Sequence, residues 1–173
     1  MKFMLDTNAY NQLLDNDISV DDLKGDFFTT HIPEDELNNT RVEDRRKKLN
    51  AKFKEIHQKE LPTESAVCDT SNWDKSKWTD SDTPTESFVL GTSRLGGAKL
   101  GDGVSYDKIL EFLEKIKPND RGNIKDALIG ETASKQDMIL VTDDYGLFYA
   151  VTNKGINCKV MNFHAFIEVM KND

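Results

Sequence analysis

The sequence contains no apolar run as long as the roughly 18 residues that a membrane-spanning helix needs. Cysteine is also scarce, and neither Cys68 nor Cys158 has a Cys or His partner at the spacing of zinc ligands. A zinc site and a disulfide framework are therefore not indicated. Residues 1–6 carry one lysine and a short apolar stretch before an acid, which is a poor signal peptide. We expect a cytoplasmic protein that does not interact with a membrane.

Basic residues are outnumbered by acidic ones. With 23 Lys and Arg against 31 Asp and Glu, the formal net charge is -8, which taken alone argues against binding a nucleic-acid backbone. The basic residues are unevenly spread, however, because residues 41–54 contain seven Lys or Arg and two acids. Such a run is usually one solvated face of a helix. Its centre is also a candidate surface for an RNA backbone, formed by Arg45, Arg46, Lys47 and Lys48.

Hydrophobic residues make up 37% of the 173 residues, which is enough for a single domain with its own core. Apolar runs predict strands at residues 2–6, 26–31, 138–142 and 158–161. Apolar spacing and capping residues predict helices that begin at residues 7 and 163, and helices over 33–60, 105–117 and 123–135. Because strands and helices alternate, we expect an α/β fold, a three-layer α/β/α sandwich with a central parallel sheet.

Residues 62–104 interrupt this alternation and contain an internal repeat. The sequence Pro-Thr-Glu-Ser-Ala-Val at 62–67 recurs as Pro-Thr-Glu-Ser-Phe-Val at 84–89. The same offset of 22 residues holds at nine identical positions, and large apolar residues recur at it as well. This regularity predicts two copies of one ordered unit inserted into a single domain of residues 1–173, rather than a linker that reuses Ser and Thr by chance.

Acidic residues follow or flank several of the predicted strands. In an open parallel sheet, ligands bind outside the carboxyl ends of the strands, so acids from separate segments can meet at one edge. The acids that these elements would carry there are Asp6, Glu36, Asp126, Asp143 and Asp144. Carboxylates held together require a cation or raised pKa values, and oxygen ligands without His or Cys favour Mg²⁺ or Mn²⁺. Such a site can activate water and stabilise charge on a phosphodiester, leaving 5′-phosphate and 3′-hydroxyl ends.

Four motifs lie in order along the chain, and each joins an apolar stretch to an acid. They are Met-Leu-Asp-Thr-Asn at 4–8, Thr-His-Ile-Pro-Glu-Asp-Glu-Leu at 30–37, Asp-Ala-Leu-Ile-Gly-Glu-Thr-Ala at 126–133 and Leu-Val-Thr-Asp-Asp at 140–144. Together they resemble the four motifs of the PIN-domain ribonuclease family, which includes the VapC-like toxins. The resemblance covers the chain on both sides of the repeat and leaves the repeat itself unmatched.

This resemblance implies a set of catalytic acids around Mg²⁺ or Mn²⁺. Glu36 is favoured over Glu34 and Asp35 because Leu37 follows it, as in the family's second motif. The implied catalytic residues are Asp6, Glu36, Asp126 and Asp144. Of these, the implied metal ligands are Asp6, Asp126 and Asp144.

The resemblance also assigns supporting residues and a biological role. Asn8 and Thr142 would support the acids through hydrogen bonds, with Asp143 beside them, and the spacing after Thr142 favours Asp144 over Asp143 as the ligand. The implied activity is an endoribonuclease that hydrolyses RNA. The implied role is the toxin of a type II toxin–antitoxin pair, a homodimer that a cognate antitoxin inhibits.

Other interpretations remain open for these acids. Asp6 alone could cap a helix, and Asp143 and Asp144 alone could begin a turn. A phosphatase of the haloacid dehalogenase type also starts from an Asp at a strand end, but it wants a second Asp where this chain has Asn8. A flap-type DNA nuclease generally has more acids and more length. A catalytically inactive module of the same fold, binding RNA or protein, is the alternative from a different class.

Overall fold

In the computed structural model of the chain, the described residues are 1–56, 58–67, 99–100 and 104–172. The strands are β1 (Lys2–Leu5), β2 (Asp26–Thr29), β3 (Gln58–Glu60), β4 (Ala66–Val67), β5 (Lys99–Leu100), β6 (Ile139–Val141) and β7 (Lys159–Met161). The α-helices are α1 (Thr7–Asp15), α2 (His31–Asn38), α3 (Glu43–Glu55), α4 (Val104–Ile116), α5 (Gly122–Lys135), α6 (Tyr145–Asn153) and α7 (Phe163–Asn172). A short 3₁₀ helix spans Val20–Asp22.

A five-stranded parallel sheet forms the centre of the structure, in the order β3-β2-β1-β6-β7. β1 pairs with β2 on one side and with β6 on the other, so that Met4 lies beside both Phe28 and Leu140. The central position of β1 explains its composition. Phe3, Met4 and Leu5 are fully buried, because a strand of a parallel sheet that is covered on both faces has no side that contacts water.

Each face of the sheet carries its own hydrophobic core. Side chains of α4, α5 and α6 pack with Met4 and Leu140 on one face. Side chains of α1, α3 and α7 pack with Phe3, Leu5 and Val141 on the other. Successive residues of a strand point to opposite faces, so the division of β1 between two cores means that helices cover both sides. The fold is therefore α/β with a parallel central sheet, compatible with the three-layer sandwich expected from the sequence.

The largest error of the sequence prediction lies in residues 33–60. The sequence predicted one long helical region there, whereas the structure has α2, α3 and the edge strand β3. β3 consists of Gln58, Lys59 and Glu60, so it lacks the apolar signal that identifies a strand. Such a polar strand is stable at the edge of a sheet, where one side needs no partner, and charged residues there oppose unwanted pairing.

Two further differences concern helix positions. α6 was missed, because Asp143-Asp144-Tyr145-Gly146 was interpreted as the possible start of a turn, whereas Asp144 caps a helix there. The helix predicted from residue 105 begins one residue earlier, because α4 starts at Val104. α7 begins at Phe163, where the sequence predicted a helix to begin, and Asn162 Oδ1 accepts a hydrogen bond from the Ala165 N–H at 2.8 Å. No helix in the described residues is both long and apolar enough to cross a membrane.

The two ends of the repeat-bearing segment are paired with each other. β4 and β5 form an antiparallel ladder in which Ala66 faces Leu100 and Val67 faces Lys99. This ladder is attached to α5, because the Glu64 N–H donates to Thr132 Oγ1 at 3.2 Å. The chain thus leaves and re-enters the described structure at one place. The expected pair of ordered units falls mainly on residues outside the described ones, so it stays a prediction.

Candidate active site

The candidate site lies where the strand order of the sheet reverses. From β1 the chain proceeds outward through β2 to β3 on one side, while β6 and β7 lie on the other side. At such a point the loops after two adjacent strands diverge and leave a crevice outside their carboxyl ends. Asp6 directly follows β1, and Thr142 directly follows β6. The Asp6 N–H donates to the Val141 carbonyl at 3.1 Å, which joins the two strand ends.

Asp6 is held in place by a set of hydrogen bonds from its neighbours. It is 4% exposed, and its Oδ1 accepts from the Thr7 N–H at 2.6 Å. Its Oδ2 accepts from Asn8 Nδ2 and from the Thr142 hydroxyl, both at 2.8 Å. Asn8 Nδ2 also contacts Thr142 Oγ1 at 3.2 Å. Asn8 and Thr142 therefore make the contacts to Asp6 that the sequence predicted for them.

The pKa of Asp6 is raised to about 6. Burial is the main cause, since it disfavours the charged form, and the hydrogen bonds from Thr142 and Thr7 oppose it. The negative charges of Glu36 and Asp144 raise the pKa further. The donors to Asp6 are neutral, so they fix the orientation of the carboxylate but do not balance its charge when it is ionised.

Asp126 lies on α5 and is half-buried. Its pKa is raised to about 8, first by burial and then by the charges of Asp6, Asp144 and Glu36, while Lys117 lowers it. Asp6 and Asp126 are therefore both influenced by the charges of Glu36 and Asp144, although the four acids come from separate segments. We call Asp6 and Asp126, the acids whose pKa values are raised, the inner pair.

Asp144 connects the site to α6. Its Oδ1 accepts from the Leu147 N–H at 2.9 Å and so caps the helix, while its N–H donates to Thr142 Oγ1 at 3.0 Å. Its Oδ2 accepts from Lys117 Nζ at 2.9 Å. Partial burial acts to raise the pKa of Asp144, but these N–H and ammonium donors together hold it below its ordinary value. Asp144 is therefore ionised and already has a cationic partner.

Glu36 on α2 also has a cationic partner. Its Oε1 accepts from Lys125 Nζ at 3.0 Å, and its Oε2 accepts from the Thr7 hydroxyl at 2.5 Å. Its side chain is 30% exposed, compared with 24% for Asp144. We call Glu36 and Asp144 the outer pair, because both are more exposed than Asp6 and each binds a lysine.

Asp143 binds the start of α7 through its carboxylate. Its Oδ1 accepts from the Phe163 N–H at 2.9 Å at the start of α7, and its own N–H donates to Asn8 Oδ1 at 3.0 Å. Its backbone therefore helps to fix Asn8, while its carboxylate caps a helix. The sequence preference for Asp144 over Asp143 agrees with this placement.

Two of the four basic residues that were predicted to hold RNA contact nearby acids. Arg45 binds Asp15 through two hydrogen bonds of 2.6 and 2.9 Å, and Lys47 pairs with Glu43 at 2.7 Å. The prediction that Arg45, Arg46, Lys47 and Lys48 hold an RNA backbone stays a prediction.

Sequence reasoning missed the two lysines that contact the outer pair. Lys117 is near the end of α4 and Lys125 is in α5, where a lysine is an ordinary helix-surface residue. No spacing in the sequence marks either residue as part of a site. A clue was available only for Lys125, because it directly precedes the predicted ligand Asp126.

The side chains of the four acids are of the type that binds a hard divalent cation. They form a set of carboxylates without His or Cys, as Mg²⁺ and Mn²⁺ prefer. The pKa values of the inner pair are raised by burial and, to a smaller extent, by neighbouring negative charges, and a cation would oppose both effects. As the side chains stand, however, no three acids, histidines or cysteines in the described ranges are grouped closely enough to share an ion. The lysines hold the outer carboxylates instead. Lys117 is 44% exposed and Lys125 is 32% exposed, so water can solvate each ammonium group if it releases its carboxylate.

Comparison of the chain with protein-family models and with curated proteins gives no match.

Proposed function

We propose that the chain is a metal-dependent nuclease that hydrolyses phosphodiester bonds. Within that class we propose an endoribonuclease with a PIN-like domain. The supporting observation is that Asp6 and Asp144 both bond to Thr142 where the strand order reverses. The pKa of Asp126 is raised first by burial and then by the charges of Asp6, Asp144 and Glu36. Mutual repulsion of carboxylates lowers stability, and proteins usually retain it where function requires the charges.

Asp6, Asp126 and Asp144 are the residues that would hold Mg²⁺ or Mn²⁺, with Glu36 beside them. When bound, the ion would supply a water of lowered pKa and would stabilise charge on the phosphate. Thr142 and Asn8 fix the orientation of Asp6 through the bonds described above. Such outer partners commonly decide how well a carboxylate binds its metal. The cleaved RNA would carry 5′-phosphate and 3′-hydroxyl ends.

The direct test compares RNA cleavage by the wild type and by Asp6→Asn, with Mg²⁺ or Mn²⁺ and with EDTA. We expect cleavage by the wild type only with metal, and loss of cleavage in the variant. Asp22→Asn is the matched control, because Asp22 is an exposed acid of the 3₁₀ helix. Equal cleavage by the wild type and Asp6→Asn would refute the proposed mechanism.

A toxin of a type II toxin–antitoxin pair is the biological role that fits this activity. In that role the chain would form a homodimer and would be inhibited by an antitoxin that enters the acidic site. Expression of the wild type should then stop cell growth, and Asp6→Asn should relieve the arrest. Unimpaired growth with active, soluble wild-type protein would exclude a toxin while leaving the nuclease proposal standing.

An inactive RNA- or protein-binding module is the second candidate. The observation in its favour is that Lys117 and Lys125 already neutralise the outer pair, so the fold has its own counter-charges. Titration with Mn²⁺ separates the two candidates. A metal that binds only the folded state raises its melting temperature by mass action, so the enzyme should be stabilised and the inactive module should not.

A further inference from the structure

Two tyrosines form an exposed aromatic pair on α6. Tyr145 is 66% exposed and Tyr149 is 40% exposed. Their ring centroids are 4.3 Å apart with an interplanar angle of 38°. A hydrogen bond between the two hydroxyls raises the pKa of Tyr145, so the side chains are joined at their polar ends as well. Water therefore contacts a preformed double-ring surface.

The position of this tyrosine pair is tied to the candidate site. Tyr145 directly follows Asp144, which caps α6 and binds Lys117. The start of α6 has little freedom to move, because a Cβ at Gly146 would lie 2.9 Å from Leu113 Cδ2 and 3.1 Å from Asp144 Oδ1. The close packing fixes the start of α6, so Tyr145 stands one residue from Asp144 and from the ion pair that Asp144 makes with Lys117.

We propose that Tyr145 and Tyr149 form a stacking platform for one unpaired base of the RNA, next to the acids that would act on its phosphate. This inference rests on the nuclease function proposed above. Aromatic rings bind bases of any sequence by stacking, and a nearby cation commonly holds the backbone. Lys117 would supply that cation.

A nucleobase fits this surface better than a protein does. Two rings are far smaller than the roughly 800 Å² per partner that a specific protein interface buries. The next residues on the exposed side of the helix are the polar Thr152 and Asn153. A base in a duplex is already stacked and paired, so using the platform would require its removal from the helix. We therefore expect the protein to select single-stranded RNA.

Binding is measured with wild-type chain in EDTA, using the fluorescence anisotropy of a labelled single-stranded RNA and of its duplex. The double variant Tyr145→Ala with Tyr149→Ala should bind the single strand roughly 5- to 100-fold more weakly, as loss of base stacking does. Tyr145→Phe with Tyr149→Phe keeps the rings and should bind within a few-fold of wild type. Thr152→Ala, on the same exposed side of α6, is the matched control and should bind as wild type does.

Two results would overturn the platform. One is equal affinity of the double alanine variant and the wild type for the single strand. The other is a change of oligomeric mass in that variant with unchanged RNA affinity, because the tyrosines would then join copies of the chain. Failure of the nuclease function would appear separately, as cleavage by Asp6→Asn at the wild-type rate in Mg²⁺. In steady-state cleavage, loss of the platform should raise KM more than it lowers kcat, since stacking is the same in ground and transition states.

Discussion

The inner and outer acids of the site are stabilised in different ways. Asp6 of the inner pair is fixed by neutral donors, the Thr7 N–H, Asn8 and Thr142, which orient the carboxylate but bring no positive charge. The outer pair is held by the ammonium groups of Lys117 and Lys125. Burial therefore raises the pKa values of Asp6 and Asp126, whereas that of Asp144 is lowered. Under the proposed function, a cation from solution would relieve the charge of the inner pair, whereas the outer pair already has two lysines as counter-charges.

The largest expected effect is on the rate of RNA cleavage, which should fall more when an inner acid is replaced than when an outer acid is replaced. Asp126→Asn should reduce RNA cleavage on the order of 1000-fold, because it removes an inner ligand that has no substitute. Glu36→Gln should reduce it on the order of 10-fold, because Glu36 already shares its charge with Lys125. Cleavage rates at saturating Mg²⁺ measure both. Equal losses would show that the distinction between the pairs has no bearing on catalysis.

The second effect concerns the neutral donors of Asp6. Thr142→Val keeps the shape of the side chain but removes the hydroxyl that donates to Asp6 and accepts from the Asp144 N–H. Mn²⁺ affinity measured by calorimetry should fall about 10- to 100-fold, the usual cost of losing such a partner. Thr142→Ser retains the hydroxyl and should keep most of the affinity. An unchanged affinity in Thr142→Val would mean that this hydroxyl does not matter for binding.

The third effect is on stability without metal. The raised pKa values of Asp6 and Asp126 mean that the folded protein binds more protons than the unfolded chain between about pH 4 and pH 8. The free energy of unfolding should therefore fall as the pH rises through this window. Asp126→Asn removes one of these groups and should raise the melting temperature at pH 8 by about 5 °C. Thermal melts in EDTA at pH 5 and pH 8 test this, and a wild type that is more stable at pH 8 would contradict it.

The smallest effect on stability and metal binding is expected for Lys117, which binds Asp144 of the outer pair. Lys117→Met should change the free energy of unfolding by less than about 1 kcal/mol, since a partly exposed ion pair contributes little. It should also strengthen Mn²⁺ binding a few-fold, because the ion no longer competes with the ammonium for Asp144. Lys115→Met is the control, as Lys115 pairs with Glu111 on the exposed side of α4. Weaker Mn²⁺ binding in Lys117→Met would show that the lysine supports the metal instead.

The parts of the fold that the sequence predicted are those with a strong local signal. The centre of the sheet was predictable because residues 3–5 of β1 and all of β6 are apolar and must avoid water on two faces. β3 was missed, since its Gln-Lys-Glu sequence is fixed as a strand only by pairing with β2. α6 could have been found, because Leu147, Ala150 and Val151 are spaced for one helical face.

In the site, too, residues with a local sequence signal were predicted, and residues placed only by tertiary packing were not. The four acids were predicted because each stands at a strand end or in a motif, and topology brings strand ends together. Lys117 and Lys125 could not be predicted, since their role depends on how α4 and α5 pack beside the sheet. The tyrosine pair lay directly after a predicted ligand, but its exposure is a property of the helix that the sequence prediction did not include.

The ladder of β4 and β5 has a consequence for how the chain can vary. Its two strands place residues 66 and 100 side by side, so the intervening stretch begins and ends at almost the same point in space. The cost of closing a loop grows only slowly with its length, so we expect the sheet to tolerate additions or deletions between the two strands. A change of length there need not move the strand ends that carry Asp6 and Thr142.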